Sequence, residues 1–366
     1  MGDHPALPDY QGACLSNVVP VLIERRAPPP FWLPSSAVDA RQVVLLVLDG
    51  LGWDQFDLRR HLAPTLSGME GGPISTVVPS TTATALTSIA TGLTPGEHGV
   101  IGYRINVHGD VLNVLRWQTG RGDARRAIPP EQFQPVVPFL GQRPPVVTRA
   151  EFEGSGFSGV HLAGVRFVGW RVTSTLVTEV RALLQSGEPF VYAYYDGVDK
   201  VAHEYGLNEH YDAEISAVDR LIGDVLDVLP PGATLVVTSD HGQVDVGEAV
   251  RPLDKDVMRH VALLSGEGRF RWLHARPGRL ADLLEASRAC HGDEAWVASR
   301  DEAALQGWFG HHLSAAAASR LGDVLIAARE PVAFEDPADT GPYHLVARHG
   351  SMTEAEMNVP LLAQGA

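Results

Sequence analysis

Seven side chains that can serve metal-assisted chemistry stand near the ends of apolar runs in this chain. They are Asp49, Thr82, Asp199, His203, Asp240, His241 and His349. Carboxylate oxygens combined with imidazole nitrogens suit Zn²⁺ or Mn²⁺. Three aspartates and three histidines would form two three-ligand sites with one hydroxyl between them. Two cations about 3.5–4 Å apart promote in-line displacement at phosphorus, so phosphoryl transfer is the chemistry that this set predicts.

Each member of the set has an ordinary explanation when it is taken alone. Asp49 follows a strand, where a turn or helix-capping aspartate is common. Asp199 and His203 are four residues apart, which places them on one face of a helix, but such pairs are more often solvated. Asp240 and His241 directly follow a buried run and are more suggestive. The metal hypothesis therefore depends on the joint pattern.

The hydroxyl of the set lies in the threonine-rich segment 79–93. Apolar residues at helical spacing predict a helix that starts near Thr82 and ends at Gly92. A helix start offers free backbone N–H groups and the positive end of the helix dipole, which suit a phosphoryl oxygen. Simple helix capping by a hydroxyl is the alternative. The residues alone leave open whether Thr81, Thr82 or Thr84 would be the nucleophile.

Apolar runs and helical patterns alternate along the chain and must position these side chains. Continuous apolar runs at Val43–Leu48, Pro189–Tyr195 and Ala233–Thr238 predict strands buried on both faces of a parallel sheet. Helical periodicity marks Thr173–Gln185 and Asp212–Leu229. The alternation predicts a doubly wound, mostly parallel α/β sheet. Ligands bind beyond the carboxyl ends of such strands, which is where the aspartates fall.

We expect residues 1–366 to form a single catalytic domain with a small α+β subdomain, or lid, inserted at about 250–340. In that stretch, short strands are predicted at 269–275, 295–299 and 323–328, and short helices at Leu280–Arg288 and Asp301–Gln306. The segment 104–145 is rich in Arg and Pro and shows little periodicity. We expect it to be an excursion over the active edge of the sheet.

The amino-acid composition limits which molecules this protein is expected to bind. Acidic residues (44) outnumber basic ones (29), and the net charge of −15 argues against a protein that binds nucleic acid polymers. A small anionic substrate remains compatible, because bound cations supply local positive charge. Cys14 and Cys290 are far apart and predict neither a disulfide framework nor a cysteine metal site. No signal-peptide pattern or membrane-length apolar run occurs, so we expect a cytoplasmic protein without a membrane partner.

The ordered motifs P-S-x-T, T-G-L-x-P-x-x-H-G and D-x-x-x-H-x-x-G resemble those of the alkaline phosphatase superfamily, and in particular the type I phosphodiesterase/nucleotide pyrophosphatase family. The resemblance spans Val43 to about Leu361. It implies an alkaline phosphatase-like fold and aligns the family's threonine nucleophile with Thr82. Ala202 stands where the family has a small glycine before the histidine of the third motif.

The resemblance also implies which residues hold each of two divalent metal ions, Zn²⁺ or Mn²⁺. One ion would be held by Asp199, His203 and His349, and the other by Asp49, Asp240 and His241, with the Thr82 hydroxyl facing the second ion.

One position departs from the family pattern. Well-studied nucleotide pyrophosphatases have an asparagine shortly after the His-Gly motif, and it contacts a non-bridging phosphate oxygen. This chain has Tyr103 at that place. The Tyr103 hydroxyl can donate the same hydrogen bond, or Arg104 can supply a charge-assisted one. Packing is an equally good explanation of Tyr103, so Tyr103 and Arg104 are candidates for substrate binding and no more.

The resemblance implies a two-metal phosphodiesterase that hydrolyses a small intracellular nucleotide through a phosphothreonine intermediate. Similar actinobacterial proteins hydrolyse cyclic dinucleotides, so cyclic di-AMP and dinucleotide pyrophosphates are the substrates we expect. The alternatives are a phosphomonoesterase or phosphonate hydrolase on the same metal core, and a non-enzymatic nucleotide sensor. A sulfatase is disfavoured, because no C-x-P-x-R or S-x-P-x-R motif follows the nucleophile region. The oligomeric state is open, and a homodimer is kept as a hypothesis.

Overall fold

A seven-stranded sheet forms the centre of the molecule. The computed structural model describes residues 4–25, 27–339 and 345–366. From one edge to the other the strands are Glu70–Ser75, Asn358–Gly365, Ala233–Thr238, Gln42–Leu48, Phe190–Tyr195, Pro145–Arg149 and Arg166–Trp170. Asn358–Gly365 runs antiparallel to both of its neighbours, and the other neighbouring pairs are parallel. The prediction of a doubly wound, mostly parallel α/β sheet is confirmed.

The middle strand, Gln42–Leu48, shows why the sequence forms this sheet. Every residue after Gln42 is buried. The side chains alternate between the cores on the two faces, with Val43, Leu45 and Val47 on one and Val44, Leu46 and Leu48 on the other. Successive side chains of a strand point to opposite faces, so a strand covered on both sides must be apolar throughout. Full burial of each such side chain contributes about 1.5–3 kcal/mol.

Helices cover both faces of the sheet. Thr82–Thr91 packs on one face, and Thr173–Gln185 and Glu209–Leu226 pack on the other. Thr173–Gln185 has the bounds that its periodicity predicted. Glu209–Leu226 starts and ends earlier than predicted, and its first turn is capped by the Asn208 side chain, which accepts a hydrogen bond from the His210 N–H.

The remaining described α-helices contain from 4 to 12 residues. They are Val18–Glu24, Ser35–Val38, Trp53–Asp57, Pro64–Ser67, Pro95–His98, Pro130–Phe133, Gly156–His161, Gly197–Tyr205, Lys255–Met258, Leu280–His291, Arg300–Leu305, Ala315–Arg320 and Glu354–Met357. Across residues 4–25, 27–339 and 345–366, no helix combines the length and apolar character needed to cross a membrane.

A second, antiparallel sheet lies in the chain between Asp240 and His349. Its strand order is Val261–Glu267, Phe270–Ala275, Val324–Ala328 and Ala295–Ser299. Three of these strands and two of the helices near them follow the sequence pattern, whereas Val261–Glu267 and the helix Ala315–Arg320 were not predicted. One face of this sheet, including Phe270 and Trp272, packs into the same core as the central sheet. The division of the chain into a domain and an inserted lid stays a prediction.

The segment that begins at Arg104 is more regular than its sequence suggests. It forms a meander of short antiparallel strands at Arg104–Val107, Asp110–Asn113, Gln118–Thr119 and Gly122–Asp123. Strands of two to four residues are too short to show a period-two pattern. These strands were therefore not predicted, and the expectation that residues 104–145 form an excursion over the active edge stays a prediction.

Candidate metal centre and active site

Two aspartates meet at the carboxyl edge of the central sheet. Asp49 follows the strand Gln42–Leu48, and Asp240 follows its parallel neighbour Ala233–Thr238 after one intervening residue. Because the two strands run side by side in the same direction, their ends lie together. The exposed fractions of Asp49 and Asp240 are 3% and 0%. The sheet thus brings two carboxylates together in a nearly water-free environment.

His241 joins these aspartates in a first cluster. Its Nε2 atom lies 3.3 Å from Asp49 Oδ1 and 3.5 Å from Asp240 Oδ2. The Thr82 hydroxyl is 3.1 Å from the same nitrogen. One oxygen of each carboxylate and this nitrogen lie within 4.8 Å of one another, which is close enough for a single metal ion to bind all three.

A second cluster adjoins the first. Asp199 lies in the helix Gly197–Tyr205, and His203 follows it by one turn, with Nε2 at 3.3 Å from Asp199 Oδ1. His349 Nε2 is 3.8 Å from the same oxygen. The His349 ring also stacks on the His241 ring, with the ring centroids 3.6 Å apart. One ligand atom from each of Asp199, His241 and His349 lies within 4.8 Å of the others. All six Asp and His side chains proposed from sequence therefore converge, and His241 lies between the two clusters.

Backbone carbonyls orient all three imidazoles. The Nδ1 atoms of His203, His241 and His349 lie 2.8, 3.1 and 3.0 Å from the carbonyl oxygens of Ala347, Gly242 and Ser80, respectively. A carbonyl can only accept a hydrogen bond, so Nδ1 carries the proton and Nε2 keeps a lone pair that faces the cluster. Burial and the two neighbouring imidazoles hold the pKa of His349 well below its usual value. These are the features of neutral histidine ligands.

The carboxylates of the first cluster are incompletely paired. Asp49 Oδ2 accepts a hydrogen bond from the Tyr194 hydroxyl, and Asp240 Oδ1 accepts one from the Gly50 N–H at 3.0 Å. Asp49 Oδ1 and Asp240 Oδ2 are buried and have no hydrogen-bond partner among the described residues. Burial, followed by the charges of Asp240 and Asp199, raises the pKa of Asp49 well above its usual value. Since buried anionic oxygens need a counter-charge, this donor set fits a divalent cation.

Thr82 is the first residue of the helix Thr82–Thr91, which ends before Gly92 as the sequence predicted. Gly92 adopts φ 72°, a left-handed conformation that favours glycine at a helix end. Of the three threonines that the sequence left open, Thr82 has its hydroxyl against His241. The hydroxyl of Thr84 is buried and has no hydrogen-bond partner in the part of the chain that the structure describes, and Thr81 is hydrogen-bonded to Glu267.

The sequence matches the profile of the type I phosphodiesterase/nucleotide pyrophosphatase family over residues 43–181 and 171–352. This chain belongs to that family. Members are metal-dependent hydrolases of phosphodiester or pyrophosphate bonds, so the prediction of an enzyme of this kind is confirmed, and the non-enzymatic sensor is not supported. A search among curated proteins finds no match.

Solved structures share the fold at low sequence identity. Murine ectonucleotide pyrophosphatase/phosphodiesterase 5 is 17% identical, with a TM-score of 0.66 over 89% of this chain and 88% of that chain. The human protein of the same name is 18% identical, with a TM-score of 0.65 over 88% of each chain. Phosphonoacetate hydrolase from Sinorhizobium meliloti, in complex with phosphonoformate, is 17% identical, with a TM-score of 0.65 over 89% and 90%. At this identity the likeness establishes the alkaline phosphatase-like fold alone.

Tyr103 and Arg104 occupy different environments in this phosphodiesterase. Tyr103 lines a cavity together with Thr82 and other members of the metal clusters. Its hydroxyl accepts a hydrogen bond from Asn113 Nδ2 at 2.6 Å, which leaves the hydroxyl proton free to donate to a ligand. Arg104 is buried and forms an ion pair with Asp336. Adjacent side chains along an extended chain point to opposite sides, and this geometry does not favour a substrate contact by Arg104.

Sequence reasoning missed three polar residues that adjoin the clusters. Gln243 Nε2 donates to Asp199 Oδ1 at 2.6 Å, and the Tyr194 hydroxyl donates to Asp49. Glu267, at the end of a strand of the second sheet, has Oε2 at 3.9 Å from His349 Nδ1, and its burial raises its pKa to about 8. Tyr194 and Glu267 belong to no motif. Gln243 lies two residues after His241, and this proximity in sequence was the one feature that could have indicated a residue near the metal clusters.

Two cavities adjoin Thr82. Both are lined by Thr82, Leu115 and Asp199. The first, about 240 Å³, is mainly apolar and is also lined by Asp49, Leu86, Thr148, Phe152, Ser155, Phe157, Ser158, His161, Leu162, Tyr192, Tyr194, Asp196 and Lys200. The second, about 300 Å³, is more polar, and its other described lining residues are Thr81, Tyr103, Arg116, His203, Glu267, Gly268, Asp339, Leu345, Arg348 and His349.

Proposed function

We propose that this chain is a two-metal phosphodiesterase/nucleotide pyrophosphatase that hydrolyses a small nucleotide through Thr82. The observation that carries the proposal is the convergence of three aspartates, three histidines and one hydroxyl, with two buried carboxylate oxygens that lack a partner. Those residues would hold the ions in the two sets implied by the family resemblance. Asp49, Asp240 and His241 would hold the ion that faces Thr82. Asp199, His203 and His349 would hold the other ion.

When bound, the two ions supply Lewis acidity, which lowers the pKa of a nearby hydroxyl and stabilises charge on phosphoryl oxygens. Thr82 Oγ1 attacks phosphorus, the bond from phosphorus to the leaving oxygen breaks, and that oxygen takes up a proton. A water then attacks the phosphothreonine in line, the bond from phosphorus to Thr82 Oγ1 breaks, and the hydroxyl is restored. Thr82 is only 8% exposed, so most of its surface is covered by protein.

The two cavities favour a diester over a monoester. A phosphodiester carries two groups on its phosphorus, and two cavities share Thr82 as a lining residue, so each can take one group. A phosphomonoester would need only one of them. Tyr103 donates its free hydroxyl proton to a non-bridging oxygen in this proposal, which is the role of the family asparagine that it replaces.

A nucleotide is the substrate class that we propose, with a cyclic dinucleotide such as cyclic di-AMP or a dinucleotide pyrophosphate as the leading candidates. The apolar cavity contains aromatic side chains that suit a base. An inactive threonine-to-alanine variant of the murine protein has been solved in complex with AMP, which supports both the nucleophile and the ligand class.

Cys14 and Cys290 are both free thiols, which is typical of the reducing cytoplasm that we propose as the location.

Paired chromogenic substrates test the reaction class. Purified protein is assayed with bis(p-nitrophenyl) phosphate, p-nitrophenyl phosphate and phosphonoacetate, with Zn²⁺ and Mn²⁺ added separately. We expect kcat/KM for the diester to exceed that for the monoester by at least about tenfold. A strong monoester preference, or efficient cleavage of phosphonoacetate, would move the chain to the alternative phosphomonoesterase or phosphonate hydrolase. A panel of cyclic dinucleotides, dinucleoside polyphosphates and nucleotide sugars then identifies the substrate.

A further inference from the structure

The polar groups of the apolar cavity that lie outside the metal clusters are mostly paired with protein. The Ser158 hydroxyl donates to the Phe152 carbonyl at 2.8 Å, and the Ser155 hydroxyl donates to Ser158 Oγ at 3.0 Å. Lys200 Nζ lies 2.5 Å from an oxygen of Asp196. Both serine hydroxyls thus donate their proton to a protein acceptor, and the Lys200 ammonium is paired with a carboxylate.

His161 differs from those groups. It ends the helix Gly156–His161, is 5% exposed and stacks on Phe157 with ring centroids 4.0 Å apart. Its Nδ1 atom lies 2.7 Å from the Phe157 carbonyl oxygen. Since a carbonyl can only accept, Nδ1 carries the proton, and in the neutral ring Nε2 is an acceptor. Nε2 has no hydrogen bond among the described residues.

The charge state of His161 is also set by its surroundings. Burial lowers its pKa to about 4, and the hydrogen bond to Phe157 offsets only part of that effect. The imidazole is therefore neutral at pH 7, and Nε2 keeps its lone pair. Thr148 also lines the cavity, but a hydroxyl rotates to donate or accept and does not discriminate between ligand groups.

We propose that His161 Nε2 accepts a hydrogen bond from an amino group on an aromatic base held in the apolar cavity, and so selects amino-substituted nucleobases such as adenine. A base that lacks the donor would leave a buried acceptor unpaired, which is the kind of penalty by which sites reject close analogues. The inference rests on the proposed function for the nucleotide nature of the substrate, and it assigns the side chain that distinguishes one base from another.

Two ligands that differ in one amino group test this assignment. They are the 5′-p-nitrophenyl esters of AMP and of purine riboside 5′-monophosphate, which lacks the 6-amino group. We expect wild-type kcat/KM to favour the AMP ester by about tenfold. In His161→Phe, which keeps an aromatic ring on Phe157 and removes the acceptor, the preference should fall to within about twofold. Ser158→Ala, in the same cavity, removes a hydroxyl that is hydrogen-bonded to Phe152 and Ser155; it is the matched control and should keep the preference.

A binding measurement makes the outcome independent of turnover. Calorimetric affinities of wild-type protein for AMP and purine riboside 5′-monophosphate should differ by a similar factor, even if His161→Phe does not fold. Equal rates and equal affinities for the two ligands would overturn the inference while leaving diester hydrolysis intact. A preference that survives in folded His161→Phe would also overturn it. A binding preference without hydrolysis of any diester would refute the proposed function and support the role of His161.

Discussion

Two buried charged clusters in this molecule are built in opposite ways. In the ion pair between Arg269 and Glu356, both side chains are 0% exposed, and the guanidinium donates to both carboxylate oxygens at 2.7 and 2.9 Å. Arg269 also donates to three backbone carbonyls, and Glu356 accepts from the Ser351 N–H and the Thr353 hydroxyl. The cluster around Asp49 and Asp240, in contrast, leaves one buried oxygen of each carboxylate unpaired.

The difference in pairing distinguishes the Arg269–Glu356 pair, which stabilises the fold, from the Asp49 and Asp240 carboxylates, which can still bind a ligand. A buried ion pair whose hydrogen bonds are all made is complete without further partners, and removing one member exposes the cost of burying the other. Buried carboxylates without counter-charge are unfavourable until a cation binds. We therefore expect substitutions of Arg269 or Glu356 to change stability, and substitutions around Asp49 and Asp240 to change metal binding and rate.

The largest expected effect is on rate. Thr82→Ala removes the proposed nucleophile and should lower kcat for bis(p-nitrophenyl) phosphate by at least about a thousandfold. Metal content, measured by plasma emission spectroscopy, should stay at the wild-type value. Thr84→Ala, on the same helix with a buried and unpaired hydroxyl, is the control and should retain most activity. Normal turnover by Thr82→Ala would remove the nucleophile assignment.

The next effect is on stability. Arg269→Met leaves the Glu356 carboxylate buried without its ion-pair partner and should lower the free energy of unfolding by about 3–5 kcal/mol. Chemical denaturation of the metal-loaded and metal-free proteins measures this loss, which should be similar in both. A loss confined to the metal-loaded form would contradict the division between the two clusters.

The loss of one metal ligand should give a smaller change. Saturation of the wild-type protein at about one hundred times the dissociation constant should stabilise it by about 2.7 kcal/mol for each site. Asp240→Asn should reduce that gain and the bound metal, because it removes a charged ligand from the first cluster. Thermal unfolding with and without Zn²⁺ measures the gain, with Asp227→Asn on the exposed surface as control. Equal metal content in Asp240→Asn and wild type would argue against its role as a ligand.

The smallest effect concerns Tyr103. Tyr103→Phe removes a hydroxyl whose proton is free to donate into the polar cavity, and we expect kcat/KM for the diester to fall about tenfold. Tyr205→Phe, at an exposed helix end, should change it by less than about twofold. A rate for Tyr103→Phe equal to that of wild type would identify Tyr103 as a packing residue.

The sequence predicted the central sheet well because its strands are long, apolar and buried on both faces. The aspartates at the ends of Gln42–Leu48 and Ala233–Thr238 could be placed at one edge for the same reason. The strand Val261–Glu267 was not recognised, because it carries Ser265, Gly266 and Glu267 within its span. Periodicity detects amphipathic or apolar elements, and it has no signal for a polar strand end that faces an active site.

The site residues divide in a similar way. The candidate Asp and His ligands stood out because six of their kind follow apolar runs, and choosing Thr82 over its neighbours required the family resemblance. His161 could not have been recognised from sequence. Its role depends on which ring nitrogen the Phe157 carbonyl engages, and that is fixed by helix geometry rather than by a motif.

The position of the strand Asn358–Gly365 sets the order in which this molecule can be completed. It is the last of the seven strands in sequence, yet it lies between Glu70–Ser75 and Ala233–Thr238 in the sheet. During synthesis Glu70–Ser75 therefore waits for a sheet partner until almost three hundred further residues have been added. The carbonyl of Ser80, which orients His349, likewise lacks this hydrogen-bond partner until His349 has been synthesised. Catalytic competence should thus arise late and all at once on the ribosome, with no partially active nascent chain before it.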